Sequence, residues 1–394
     1  MVYLDNASTT YPKPESVYAE TMEQFRRFGV SPSRGCYSAA RDMNKIVYST
    51  RLSLAEMFNV KDPESIVLTP SATIALNQIL QGLDYRGIRT VYLSPFEHNA
   101  VLRPLHMLRK RHPFKMEFMS FHGFDWDEGQ MRRMFSVDKP DLVVLSHASN
   151  VFGNILPVRD IFAMAKAYDA ITVLDCSQSA GMLDTDLVDL NADFAAFPGH
   201  KGLCGPSGIG GFAIHAAIPL APMILGGTGV KSEDLEPPEE IPDRFEAGSH
   251  NSLGIIGLNI ALKWLQKSGM NSLRVRKGET TRKLFDVLAA HGDKLDILSD
   301  STRENVGVVS CVFKNHPPKE VGALLDKSDI NVRTGLHCAP YAHRHVGTFP
   351  LGTVRFSPGH FTTDEDLSAL DSALKVNFRT QPSKIVKEYS GTGV

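Results

Sequence analysis

Lys201 makes the first chemical claim, in Phe197-Pro198-Gly199-His200-Lys201-Gly202-Leu203-Cys204-Gly205. One lysine stands there among apolar and small residues. A solvated surface lysine is the commoner use of the residue, but one kept partly out of water has a lowered pKa and becomes an imine-forming nucleophile. Asp175 makes the second claim, closing the apolar run Val173-Leu174-Asp175-Cys176-Ser177-Gln178. A carboxylate at the end of a buried strand is costly unless paired. It is either a turn or helix-cap residue or the partner of a positive group on a ligand. The two lie 26 residues apart (201 − 175), enough for a helix and a return strand, so both can line one pocket. A lysine for an imine and a carboxylate to keep a pyridine nitrogen protonated are what pyridoxal phosphate (PLP) requires.

That cofactor makes further demands. Its phosphate needs amide N–H groups at a helix start, and Ser71-Ala72-Thr73 precedes an apolar helical stretch from Ile74 to Leu83. Serine and threonine at such a place are also plain N-cap residues. The ring needs a flat neighbour, which His98 can supply just past a strand end. A substrate carboxylate suits the planar fork of an arginine. Arg355, in Gly352-Thr353-Val354-Arg355-Phe356-Ser357, lies in a strand-like run where its charge needs a partner.

The elements that must position these residues alternate. The runs Ile66–Thr69, Val91–Ser94, Leu142–Leu145 and Ile171–Leu174 are short and rich in β-branched residues, and polar turns and helical stretches separate them. Such runs predict strands buried on both faces, in an α/β domain with a mainly parallel sheet whose ligands bind at the carboxyl ends of the strands. After about residue 255 the texture changes. We expect a large domain over 15–255, a smaller α+β domain formed by 1–14 and 256–378, and a polar tail over 379–394. The 394 residues can bury a core without metal or disulfide staples. A formal net charge of −2 argues against nucleic acid or an anionic membrane as partner. The longest apolar stretch, 254–265, is too short to span a bilayer, and Met1–Asn6 lacks the basic start and apolar run of a signal peptide, so none is expected. The five cysteines, Cys36, Cys176, Cys204, Cys311 and Cys338, form no CxxC pair. They predict free thiols in a cytoplasmic protein rather than a disulfide framework or zinc site.

With these motifs in place, the chain resembles the cysteine desulfurase-like members of the class V aminotransferases, within the fold-type I PLP enzymes. The resemblance runs from Tyr3-Leu4-Asp5-Asn6-Ala7 to about Leu374. It implies Lys201 as the Schiff-base lysine, Asp175 as partner of the pyridine nitrogen and Gln178 as donor to the ring hydroxyl. His98, in Glu97-His98-Asn99-Ala100, resembles the residue stacked on the ring. Thr73, with Ala72 before it, and His200 resemble phosphate ligands. Asn150 resembles the asparagine near ring hydroxyl and substrate, and Arg355 the arginine that holds the substrate carboxylate. Phe245-Glu246-Ala247-Gly248-Ser249 is similar to a motif whose hydroxyl, here Ser249, reaches the phosphate of a neighbouring subunit, which implies a homodimer with shared active sites.

Arg333-Thr334-Gly335-Leu336-His337-Cys338-Ala339 resembles the nucleophile motif of the second type of cysteine desulfurase. The resemblance implies L-cysteine as substrate, L-alanine as product, a persulfide on Cys338 and a protein or small-molecule sulfur acceptor. A cysteine is more often a small core residue, but His337 and Arg333 near Cys338 are neighbours that favour a thiolate. The other four cysteines lack such company and are expected to be structural. Pro198, His250 and Leu336 depart from the family's commoner serine, proline and histidine. Selenocysteine lyase, another carbon–sulfur lyase or aminotransferase, and a non-catalytic partner-binding relative are the competing expectations.

Overall fold

The computed structural model describes residues 1–32, 35 and 37–378; Cys36 and the tail 379–394 lie outside the described residues. Contacts divide the chain into two compact units. The larger comprises Pro12–Ser149 and Ile155–Arg274, the smaller Met1–Tyr11, Asn150–Asn154 and the chain from Val275 onward.

A seven-stranded sheet forms the centre of the larger unit. Its strands in chain order are β1 (Ile66–Thr69), β2 (Thr90–Leu93), β3 (Lys115–Phe118), β4 (Leu142–Ser146), β5 (Ile171–Asp175), β6 (Phe194–Pro198) and β7 (Gly210–Ile214). Across the sheet they run β1-β7-β6-β5-β4-β2-β3. From β6 to β3 all neighbours are parallel, while β7 is antiparallel to both β6 and β1. Two reversals restore direction, so β1 points the same way as the parallel strands. Every residue of β1, β2, β4, β6 and β7 is buried, as the unbroken apolar runs predict for strands covered on both faces. Strand β5 is buried but for a half-buried Ile171, and the edge strand β3 is open to solvent along its length, beginning with an exposed lysine, which blunts an edge against pairing with another chain. The helix Ala72–Gly82 packs its Ala75, Leu76, Ile79 and Leu80 into the same core as Val67, Val91, Leu142 and Val173.

The smaller unit is built on an antiparallel sheet of four strands, β8 (Leu295–Ile297), β9 (Val309–Phe313), β10 (Arg333–Gly335) and β11 (Thr353–Phe356), in the order β8-β9-β11-β10. Helices covering it supply Leu284, Leu288, Leu325, Leu370 and Leu374 to a core shared with Val309, Val354 and Phe356. The N-terminus joins this unit through the two-residue strand Val2–Tyr3, parallel to Ile330–Asn331.

The second domain boundary moves from 255 to Arg274/Val275, inside the helix Met270–Ala289. The apolar helix Ser252–Ser268 belongs to the larger unit because it packs on the helices Glu15–Phe28 and Ser38–Phe58. The first boundary falls at Tyr11/Pro12, and 150–154 groups with the smaller unit. The reason is local hydrogen bonding: Asn305 Nδ2 donates to the carbonyl of Phe152, Ser310 Oγ to that of Val151, and the Val306 amide to that of Gly153.

Candidate active site

In the larger unit the expected residues gather where the sheet geometry sends them. Ala72 and Thr73 follow β1, His98 follows β2, Asp175 ends β5, and Lys201 follows β6. All these strand ends lie at one edge of the sheet, and Asp175 pairs in register with Ala196 of β6. The span between Asp175 and β6 contains turns and no helix, although its length would allow one. The turns suffice because β5 and β6 are direct neighbours.

The helix Ala72–Gly82 is capped by Ser71, whose Oγ accepts from the Ile74 amide at 3.3 Å. The first N–H groups of a helix have no acceptor within it, so the amides of Ala72 and Thr73 form a positive edge on which an anion could bind. Gly210 opens β7 beside them. A Cβ there would meet Phe197 O at 2.6 Å and the Ala72 nitrogen at 3.2 Å, so only glycine lets the strand approach so closely.

Asp175 is buried, and its Oδ1 accepts from the Ser177 amide at 2.8 Å. His98 is the N-cap of the helix Asn99–Leu108, with Nδ1 accepting from the Ala100 amide at 3.0 Å. That bond reserves Nδ1 as an acceptor and fixes the ring's tilt. Lys201 is half-buried in the turn between β6 and β7, and its carbonyl accepts from the Cys204 amide at 2.8 Å. His200 is pushed down to about 4 by burial and then by the charges of Lys201 and Lys13. It is therefore a neutral imidazole able to donate one hydrogen bond. Gln178 is half-buried and Ser249 exposed.

Sequence reasoning passed over three supports of this cradle. Glu97, fully buried, accepts from Ser94 Oγ at 2.5 Å and from the Ser146 amide and hydroxyl at 2.9 Å each. It braces β4 opposite Asp175, the register partner of Ser146. Burial raises its carboxyl to about 7, against the bonds from Ser94 and Ser146, and the charge of Asp175 adds to the rise. Lys13 donates from Nζ to the carbonyl of His200 at 2.7 Å, and burial lowers its pKa to about 8. Glu246 accepts a two-pronged bond from Arg51 (2.8 and 2.7 Å), the Leu68 amide at 2.6 Å and His250 Nε2 at 2.7 Å. Burial alone would raise the Glu246 carboxyl, but His250 and Arg51 outweigh it and hold it below the ordinary range. Glu246 thus ties the segment carrying Ser249 to β1, and His250 has its own job where the family's commoner residue is proline. Glu97 and Glu246 stood in the sequence as acidic residues inside quoted motifs, whereas Lys13 stood outside all of them, and burial is invisible in one sequence.

In the smaller unit, Cys338 lies on a short turn, 336–339, between β10 and the helix Pro340–Val346. Cys338 is exposed, whereas Cys176, Cys204 and Cys311 are buried. Burial pushes the Cys176 and Cys311 thiols far above their ordinary value, which leaves them inert. Two consecutive non-glycine residues of the turn, His337 (φ 48°) and Cys338 (φ 57°), take the left-handed conformation. The His337 ring is sealed inside, with Nε2 3.0 Å from Thr353 Oγ1. Burial, then the charges of Arg355, His343 and Arg333, hold it well below its ordinary pKa. His337 is therefore a neutral strut and lends the thiol no charge, against the expectation that it favours a thiolate.

Asn150 Nδ2 donates to the carbonyl of His337 at 2.7 Å, and the Asn150 carbonyl accepts from Arg355 Nη1 at 2.8 Å. Asn150 therefore links the cysteine turn to the arginine, a role its sequence motif did not announce. Arg333 is exposed, with Nη1 3.7 Å from Asp5 Oδ2, so its charge is partly answered by that carboxylate.

The model of the aminotransferase class-V family matches residues 2–370. The chain belongs to that family. Among curated relatives, it is similar to a probable cysteine desulfurase of Methanothermobacter thermautotrophicus, 32% identical with 95% of this chain and 94% of the relative covered. Another probable cysteine desulfurase, of Pyrococcus abyssi, is 32% identical over 86% of this chain and 85% of the relative. Among solved structures, the apo cysteine desulfurase of Thermococcus onnurineus superposes with a TM-score of 0.88 at 27% identity, covering 95% of this chain and 94% of that one. The class V fold, with its mainly parallel sheet of fold-type I, is the architecture described above. Among the described residues no helix is long and apolar enough to cross a membrane, and no cluster of His, Cys, Asp and Glu could hold a metal ion.

Proposed function

We propose that this class V family member is a PLP-dependent cysteine desulfurase that converts L-cysteine to L-alanine and keeps the sulfur as a persulfide on Cys338. One observation carries the reading: Lys201 and Asp175 stand at neighbouring strand ends, in a family whose relatives are named for this reaction. The donor set fits PLP. Lys201 would hold it covalently, Asp175 would face the ring nitrogen, His98 its plane and Gln178 its hydroxyl. The Ala72 and Thr73 amides and His200 would take the phosphate, joined by Ser249 of a second copy in a homodimer. When bound, PLP supplies an electron sink for the pair left at Cα.

The chain's own residues do the rest. Arg355 holds the substrate carboxylate, with Asn150 bracing it through its carbonyl. Lys201 Nζ takes the Cα proton. Cys338 Sγ, as thiolate, attacks the substrate sulfur; the new S–S bond forms as the substrate C–S bond breaks. A proton returned to carbon completes alanine, so that L-cysteine and one thiol become L-alanine and one persulfide. The four free thiols among the described cysteines suit a cytoplasmic protein, the location this reading assigns. An exposed Cys338 suits transfer to an acceptor, a protein or a small thiol.

The test is mass spectrometry of the holoenzyme after L-cysteine exposure. The expected result is a gain of about 32 Da on Cys338, one sulfur atom, with stoichiometric alanine. Alanine formed at the wild-type rate by Cys338→Ala, or by a protein that binds no PLP, overturns the proposal.

A further inference from the structure

Arg355 is already satisfied by a carboxylate of its own chain. It lies on β11 and is buried, and Nη2 donates to Asp5 Oδ1 at 2.8 Å and to Ser8 Oγ at 2.7 Å. Ser8 Oγ donates in turn to Asp5 Oδ1 at 2.7 Å. Nη1 is committed to the Asn150 carbonyl at 2.8 Å, while Nε is buried without a partner. The segment that brings Asp5 here is laid beside β11: the Ser357 amide donates to the Leu4 carbonyl, and the Asn6 amide to the Ser357 carbonyl.

A guanidinium grips a carboxylate in one of two forks, Nε with Nη2 or Nη1 with Nη2. Both forks require Nη2, and both of its hydrogens are in use. Of the hydrogens these forks use, the buried Nε–H alone is without a partner, and a two-pronged grip requires Asp5 or Ser8 to let go. Asp5 has somewhere to go: Arg333 Nη1 is 3.7 Å from its other oxygen. Displacement therefore leaves no carboxylate stranded.

We propose that Asp5 determines specificity at the amino-acid site, as an internal carboxylate that occupies the fork of Arg355 and is exchanged for the carboxylate of the incoming substrate. The inference rests on the reading of Arg355 as the substrate's anchor. It adds that every ligand must outcompete a neighbour already in place. A ligand with a carboxylate able to take Nε and Nη2 together succeeds; one with a neutral amide gains nothing from the exchange. The exchange weakens substrate binding overall and sharpens the preference for a full negative charge.

The experiment titrates L-alanine and L-alaninamide into the holoenzyme by calorimetry, for wild type, Asp5→Asn and Ser8→Ala, alongside steady-state kinetics with L-cysteine. Asparagine keeps the size of Asp5 and an acceptor for Ser8, but surrenders the charge. Hydrogen bonds to a charged group are worth enough that alanine should bind about tenfold tighter to Asp5→Asn. The KM for cysteine should fall with it while kcat changes less, and alaninamide binding should stay put. Ser8→Ala frees the other Nη2 hydrogen and should tighten alanine by a smaller factor. Unchanged or weaker alanine binding in either variant overturns the role of Asp5. A wild-type enzyme that binds alanine no better than alaninamide brings down the reading of Arg355 itself, and the two failures are told apart by which protein shows them.

Discussion

The cradle of the larger unit and the cysteine turn of the smaller one solve the same problem by different means. At the cradle, strands buried on both faces deliver Thr73, His98, Asp175 and Lys201 to one edge of the sheet. Buried carboxylates, Glu97 and Glu246, then lock the delivering backbones from behind. At the turn, Cys338 comes off β10, the last strand in the order of its sheet, in a left-handed backbone held by bonds from Asn150 and to Thr353. Each left-handed non-glycine residue costs about 1–2 kcal/mol. The cradle is thus held by burial and charge, the turn by neutral hydrogen bonds that offset its backbone strain. The proposed ring chemistry needs groups fixed against a plane. The proposed nucleophile, which has to meet a substrate and then an acceptor, needs an exposed sulfur on a defined backbone.

Lys201→Ala should give the largest effect and separate the two regions. Under the proposed role of Lys201, loss of a positioned acid–base group costs about a hundred- to ten-thousandfold in rate, and the loss of the proposed covalent attachment adds to it. We expect kcat to fall by at least about a thousandfold, while alkylation of Cys338 by iodoacetamide keeps its wild-type rate. A comparable loss of Cys338 reactivity would mean that the turn depends on the cradle.

Glu246→Ala comes next. It leaves Arg51, itself buried, without its counter-ion. Breaking a buried pair by removing one partner costs about 3–5 kcal/mol, measurable as a lower urea midpoint. Cofactor retention on dialysis should fall too, because Glu246 bonds the Leu68 amide of β1, the strand leading to Ala72 and Thr73. His250→Pro, restoring the family's commoner residue, removes one of the bonds to Glu246 and should cost less.

The unequal legibility of the two regions follows from the same physics. Strand runs such as Leu142–Leu145 announce a parallel sheet because burial on both faces demands unbroken apolar side chains. The sheet in turn fixes where Asp175 and Lys201 end up. The turn offers no such pattern. Nothing in Leu336-His337-Cys338 marks two left-handed residues or says that the imidazole faces inward, so its proximity in sequence suggested a charge that burial forbids. The boundary at Arg274/Val275 escaped for a related reason: one helix runs through it, and a helix carries no punctuation where its contacts change. Glu97 and Asp5 were hidden because their meaning lies in what they touch, across 49 positions for Glu97 and Ser146 and 350 for Asp5 and Arg355.

Glu97→Gln tests the electrostatic brace through its pH dependence. In the fold the carboxyl titrates at about 7, against an ordinary value of 4.5. Between those values the unfolded chain has released a proton that the native protein keeps. Stability from this group is therefore complete below the ordinary value and is lost as pH rises towards about 7. The span corresponds to roughly 3 kcal/mol. Glutamine does not titrate, so the difference in unfolding free energy between variant and wild type should shift in the variant's favour across that window and stay flat above it. A difference that is constant with pH would remove Glu97 from the titrating groups.

The smallest effect belongs to the turn. His337→Gln replaces the ring bonded to Thr353 with an amide, and a lost hydrogen bond of this kind costs about 0.5–1.5 kcal/mol. The more telling readout is the rate at which iodoacetamide alkylates Cys338 at a fixed pH of about 6.5, where an imidazolium could exist. An imidazolium beside the sulfur would favour the thiolate, and removing it would slow alkylation severalfold. A buried neutral imidazole contributes no charge to lose, so the rate should change by less than about twofold. A turn held by neutral hydrogen bonds and a cradle held by charge then part company in one measurement: the variant loses stability and the thiol keeps its reactivity. Marked slowing would instead mean that His337 carries a proton in the native protein, and the contrast between the two regions would collapse.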